Sequence, residues 1–173
     1  LTVSTGHRIA ISLRAAYLTL HRRTDASLAD VGVTADQFVV LDALAKGDAI
    51  TQQELARRAA SDPNTIGTML VLLEGRGLVA RDRHPTDGRA RSVTLTAAGR
   101  QTHRRAWIAV QPLQEELLRL FLPDDAEALI ERLARVSGSL ARARGRRPQT
   151  RSTRRPAKEK GVKRHGRRRS RPR

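Results

Sequence analysis

A chain of 173 residues suffices for one domain, or for one domain and a tail. A formal charge of +17 points to a polyanionic partner, and the absence of cysteine excludes disulfides, thiolate nucleophiles and thiol redox sensing. One Trp, one Tyr and two Phe are too few rings for a single-strand or RNA stacking platform, and with no membrane-length apolar run and no export pattern, no membrane partner and a cytoplasmic location are expected.

Residues from His7 to about Ala29 read as a helix, with Ile9, Leu13, Ala16 and Leu20 on one stripe. Thr34-Ala35-Asp36-Gln37 is a box-like helix start leading into Phe38, Leu41 and Leu44. Thr51-Gln52-Gln53-Glu54 has the same form: the Thr51 hydroxyl and the Glu54 side chain are expected to satisfy each other's free backbone donors. Leu55, Ala56 and Ala59 form the apolar face of that helix. The link from Ala60 to Asp62 is short, as a helix-turn-helix requires. Asp62-Pro63 then starts the next helix, because the carboxylate accepts from free N–H groups and proline fits the first position. Ile66, Met69, Leu70 and Leu73 turn inward at helical spacing, and Gly77 suits the left-handed position beyond the last turn.

A strand begins at Leu78-Val79, and Ser92-Val93-Thr94-Leu95 alternates as its partner. Pro85-Thr86-Asp87-Gly88 between them is turn chemistry. Thr96 caps a helix from Ala97 to about Leu122, and Leu122-Pro123-Asp124-Asp125 is a break and restart. Leu129, Leu133, Val136 and Leu140 mark the last helix. The terminal helices carry more apolar face than one subunit covers, so a twofold homodimer built from both ends of the chain is expected.

The fold class is therefore mainly α with a small two- or three-stranded β-wing: a winged helix-turn-helix flanked by dimerisation helices. Residues 1–141 form that domain, with a DNA-binding core of about 34–96, and residues 142–173 form a basic tail. The tail holds 16 of the 34 Lys and Arg and one of the 17 Asp and Glu, a net +15. Val162 is nearly its only hydrophobe, so it cannot offset its ordering entropy and disorder is expected. The segment from Thr34 to Thr96 has eight basic and eight acidic residues. DNA affinity there depends on placement, chiefly of Arg81, Arg83, Arg89 and Arg91.

The candidate DNA contacts are Pro63, Asn64, Thr65 and Thr68 on the early face of the second helix, Gln52 toward phosphate, and Arg89 and Arg91 on the wing. Asp87 is expected to support the wing, since phosphate would repel it. His7, His21, His84, His103 and His165 are scattered, and no metal site or cofactor is expected. Asp124-Asp125 and Glu115-Glu116 are not acid/base pairs, because adjacent helical residues point apart. No nucleophile, base and orienter occur together, so no enzyme is expected.

The helix order, the phrase LEGRGLVARDRHPTDGRARSVTLTAAG and the long flanking helices resemble the MarR family of dimeric transcriptional regulators. The resemblance covers roughly Arg8 to Leu140, and its most specific piece is Asp87, Arg89 and the Leu95-Thr96-x-x-Gly99 that follows. It implies that Arg89 reaches DNA and that Asp87 holds the wing. It also implies a small-molecule pocket between the dimerisation helices and the winged domain, for which Tyr17, Phe38 and Trp107 are candidates. Some members sense metals, which keeps His21 and His103 in view. Members often carry arginine where this chain has Thr68, and polar residues where it has Val71 and Leu72. The partners implied are double-stranded DNA, a second copy and a small-molecule effector, at the nucleoid. The alternative is an architectural protein, winged helix plus basic tail, with little sequence preference.

Overall fold

The computed structural model describes residues 4–47, 49–83 and 91–145, and the side chains of 83, 91 and 142–145 are excluded. Helix α1 spans Thr5–Leu28, begun by the Ser4 hydroxyl accepting from the His7 N–H. A single 3-10 turn at Ala29–Val31 ends on Gly32 at φ 76°, and α2 follows at Ala35–Ala45. Thr34 and Gln37 form the full reciprocal capping box there.

Strand β1 is only Ile50–Thr51, and α3 runs Gln52–Arg58. Helix α4 covers Pro63–Gly75, β2 Val79–Arg83, β3 Arg91–Leu95, and α5 Ala97–Leu118. The sheet order is β1-β3-β2, antiparallel throughout, with Ile50 opposite Val93 and Val79 opposite Leu95. The third strand carries almost no local signal; two residues become a strand because β3 has a free edge beside them.

The core gathers one side of every one of these elements. Leu28, Leu41, Leu55, Ile66, Leu70, Leu73, Val93 and Val110 are fully buried or nearly so. Burying side chains of this size is worth about 1.5–3 kcal/mol each before entropy is counted. Gly77 takes the left-handed conformation at φ 68°, and its N–H donates to the Glu74 carbonyl as α4 ends.

The Leu95-Thr96-x-x-Gly99 phrase is a clamp at the base of the wing. The Thr96 hydroxyl donates to the Gly77 carbonyl at 2.6 Å and accepts from the Gly99 N–H at 3.0 Å. The Thr96 N–H donates to the Leu78 carbonyl at 3.1 Å. A Cβ on Gly99 would collide with that same Leu78 oxygen. Glycine at this position is dictated by the close approach of strand and helix.

By internal contacts the chain divides into residues 1–126 and 127–173. Helix α6, Pro123–Gly145, lies mostly in the second unit. Asp124 and Asp125 occupy its first turn, where the helix dipole favours them. Ile130, Val136 and Leu140 on it are exposed. It runs on to Gly145 through alanine and arginine, residues of high helix propensity. Helix α5 stops at Leu118, short of the expected Leu122, in a turn that precedes Pro123.

Candidate nucleic-acid interface

The two helices of the expected motif are joined by Ala59–Asp62, with Ala60 held at φ 49°. Asp62 organises the start of α4. Its Oδ1 accepts from the N–H groups of Asn64 and Thr65 at 3.0 Å each, and its Oδ2 accepts from the Thr65 hydroxyl at 2.6 Å. These bonds, the Thr65 hydroxyl first, lower the Asp62 pKa below its ordinary value.

Thr65 therefore spends its hydroxyl proton on the cap. Thr68 donates to the Asn64 carbonyl at 3.2 Å. Among the described residues the Asn64 carboxamide has no hydrogen-bond partner, and Asn64 and Thr68 lie on the exposed face of α4 with Pro63 at its N-terminus. Gln52 is partly buried, and its Nε2 donates to the Pro63 carbonyl at 2.8 Å. It braces α3 against the start of α4, a role beyond the exposed phosphate contact expected of it.

The Thr51 box is only half formed. Thr51 accepts from the Glu54 N–H, but the Glu54 carboxylate turns to Arg57 and Arg58 at 2.7–2.8 Å. Those hydrogen bonds hold the Glu54 pKa down at about 2. Two guanidinium groups outcompete one backbone N–H for a carboxylate.

Arg81 departs from the expected set of wing cations. Its side chain is 17% exposed and its Nε lies 3.2 Å from Glu74 Oε2. Strand alternation is the reason, since Arg81 shares the face of buried Val79 and turns toward α4 rather than outward. Arg91 lies in β3 opposite Arg83. Asp87 and Arg89 lie outside the described residues.

Beside α4 lies a cavity of about 630 Å³ walled by α1, α2, α5, the helix-turn-helix link and α4 itself. Tyr17, Phe38, His21, Thr65 and Met69 all line it. Trp107 does not. It is 40% exposed and lines a separate shallow cleft with Asp42, Lys46 and His103. The ring of His103 lies between, stacked on Phe38 at 6.0 Å and bonded to Asp42 at 3.2 Å. His21 is set between Asp25 and Asp36 at 3.2 and 3.4 Å. Among the described residues no three His, Asp or Glu side chains are placed to hold a metal ion. Glu116 is engaged by Arg23 at 2.6–2.7 Å and Glu115 by Arg119, which accounts for that pair. No helix of the described residues is long and apolar enough to cross a membrane.

A helix pair of this form, with a three-stranded sheet and hairpin arms after the second helix, defines a winged helix-turn-helix protein. Residues 33–90 match the model of the MarR family. The HTH-type transcriptional repressor Rv2887 of Mycobacterium tuberculosis is 36% identical over 109 residues, 62% of this chain and 78% of that one. Among solved structures, the transcriptional repressor CouR bound to a 23-mer DNA duplex superposes at a TM-score of 0.67 with 32% identity, covering 78% of this chain and 92% of that one. The PcaV regulator from Streptomyces coelicolor with its natural ligand superposes at 0.66 with 26% identity, covering 81% and 96%. The chain belongs to the MarR family of transcriptional regulators, which are DNA-binding proteins and not enzymes.

Proposed function

We propose that the protein acts as a homodimer on a pseudo-palindromic operator and that a small molecule in the α1/α2/α5 cavity changes its grip. One observation carries this reading: Thr65 and Met69 of the helix that presents Asn64 and Thr68 also form a wall of the cavity. An occupant therefore bears on the placement of that helix, and differential affinity for two placements shifts DNA binding. The repressor with bound DNA and the regulator with bound ligand, both of this fold, support the two halves of the reading.

In this reading Asn64 and Thr68 face base edges, while Pro63, Thr65 and Gln52 set the start of the helix. Arg89 and Arg91 reach from the wing, and Asp87 holds it. Two copies of α4 would lie about 34 Å apart, one turn of duplex. The protein works in the cytoplasm, at the nucleoid. Ile9, Leu13 and Leu20 on α1, and separately Leu129, Leu133 and Leu140 on α6, are exposed and supply dimer contacts. Tyr17 and Phe38 contact the effector, and Trp107 serves the neighbouring cleft.

The test needs no known ligand. Val39 lines the cavity from α2 and is exposed. Val39→Trp fills part of the cavity without touching α4's outer face. On an operator selected from random duplexes at physiological salt, it is expected to change affinity at least fivefold with the melting transition retained. Unchanged affinity would remove the cavity from regulation.

A further inference from the structure

The outer face of α4 is uncharged along its whole length. Between Pro63 and Gly75 there is no lysine or arginine, and the one charged side chain, Glu74, is directed to Arg81 at 3.2 Å. Asn64, Thr68, Val71 and Gly75 follow one another at helical spacing along this face, with Leu72 beside them. Val71 is 60% exposed and Leu72 53% exposed. The Thr68 proton is committed to the Asn64 carbonyl, which leaves its methyl group and an acceptor oxygen. Past Leu72 the face stays low, since a Cβ on Gly75 would meet nothing within 4 Å.

Such a face is unsuited to phosphate, which needs cations or N–H donors. It is suited to the floor of the major groove, where the thymine C5-methyl is the exposed apolar group. The same stripe begins with the free carboxamide of Asn64, the donor and acceptor pair that matches adenine N6 and N7. Val71 lies seven positions after Asn64, a rise of about 10 Å, or roughly three base-pair steps.

On the proposed reading that α4 enters the groove, we infer that Val71 and Leu72 are sequence-reading residues that select thymine through its methyl group. The operator half-site then carries A·T pairs beneath the second half of α4, about three base pairs from the pair that Asn64 reads. A groove-facing surface continuous with Asn64 favours DNA over a protein partner for this apolar patch.

The experiment uses the full chain and an operator duplex selected from random sequence. Each half-site thymine is replaced in turn by deoxyuridine, which removes one methyl group and leaves base pairing intact. Affinity at fixed salt is expected to fall roughly three- to tenfold at one or two adjacent positions and not elsewhere. Val71→Ala and Leu72→Ala, at exposed positions that leave the core intact, should bind the thymine duplex more weakly by a similar factor. They should no longer distinguish it from the uracil duplex. Selective operator binding with no deoxyuridine effect at any position would overturn the inference and leave the regulator reading standing. So would alanine variants that keep the full uracil penalty, or that bind DNA unchanged because the patch serves a protein. Failure to select any preferred duplex would instead count against the regulator reading beneath it.

Discussion

Gly99 sits where the base of the wing meets α5, with the Leu78 carbonyl in the space a side chain would take. Gly99→Ala is therefore expected to destabilise by about 1–3 kcal/mol, because the obstacle is backbone and cannot rotate away. Equilibrium denaturation measures it. Ala60 presents the opposite case. It holds φ 49° in the helix-turn-helix link, a conformation that strains a residue with a Cβ by about 1–2 kcal/mol. Glycine relieves that strain at a smaller entropic cost, so Ala60→Gly should gain up to about 1 kcal/mol and raise the melting temperature. Glu54 sets a pH dependence. Its pKa is lowered from 4.5 to about 2 in the fold by the Arg57 and Arg58 hydrogen bonds. The stability it contributes is complete above the unfolded value and is lost as pH falls from about 4.5 toward 2. Asp62, lowered by Thr65, acts in the same direction. Glu54→Gln should flatten the stability profile across that window and leave the change from pH 7 to pH 5 as it was. A slope unchanged by the substitution would disprove the assignment.

At the scale of elements, what was legible came from local chemistry. The Thr34 box, the Asp62-Pro63 start, Gly77 beyond α4 and the Thr96 cap all speak through residues adjacent in sequence. What was not legible depended on neighbours in space. Glu54 has the right residue type for a box, but Arg57 and Arg58 on the next turn take its carboxylate. Strand β1 exists through pairing with β3, forty residues away in sequence to the nearest ten. Gln52 reaches a carbonyl on another helix, a contact no spacing rule supplies. Arg81 was legible but missed: strand alternation from Val79 already places it on the inner face. Arg81→Ala should lower stability through the lost Glu74 partner more than it lowers DNA affinity, whereas Arg89→Ala, if it reads the groove, should cost about 1–3 kcal/mol of specific binding with stability retained.

At the scale of the whole molecule, two questions concern parts of the chain that other copies or DNA would contact. Leu133→Glu on the proposed dimer surface of α6 should shift the protein to monomer in sedimentation and weaken operator binding with it. A wild-type monomer at micromolar concentration that still binds tightly would exclude the twofold arrangement. The basic tail beyond α6 lies outside the described residues, and its charge is its readable property. Truncation after Gly145 removes fourteen Lys and Arg and one Glu. Each cation that had been in contact with phosphate contributes about 0.9 to the salt slope of log affinity. The truncated protein should show a flatter salt dependence and weaker binding to operator and random duplex alike, with their ratio preserved.

The clamp at Thr96 and Gly99 gives α5 a mechanical character. One stretch of this helix, at Val110, Leu113 and Leu117, forms a wall of the cavity, while its first turn is fastened to Gly77 and Leu78. About 16 Å of continuous helix connects Gly99 to Val110. On the proposed function, the helix would then act as a lever between the cavity and the base of the wing. A bulky occupant that tilts α5 by ten degrees would swing the fastened end by about 3 Å over that length, comparable to one base-pair step. On that reading a molecule that pressed on α4 from the side would also move the base of the wing, so α4 and the wing would lose their register on DNA together rather than one after the other.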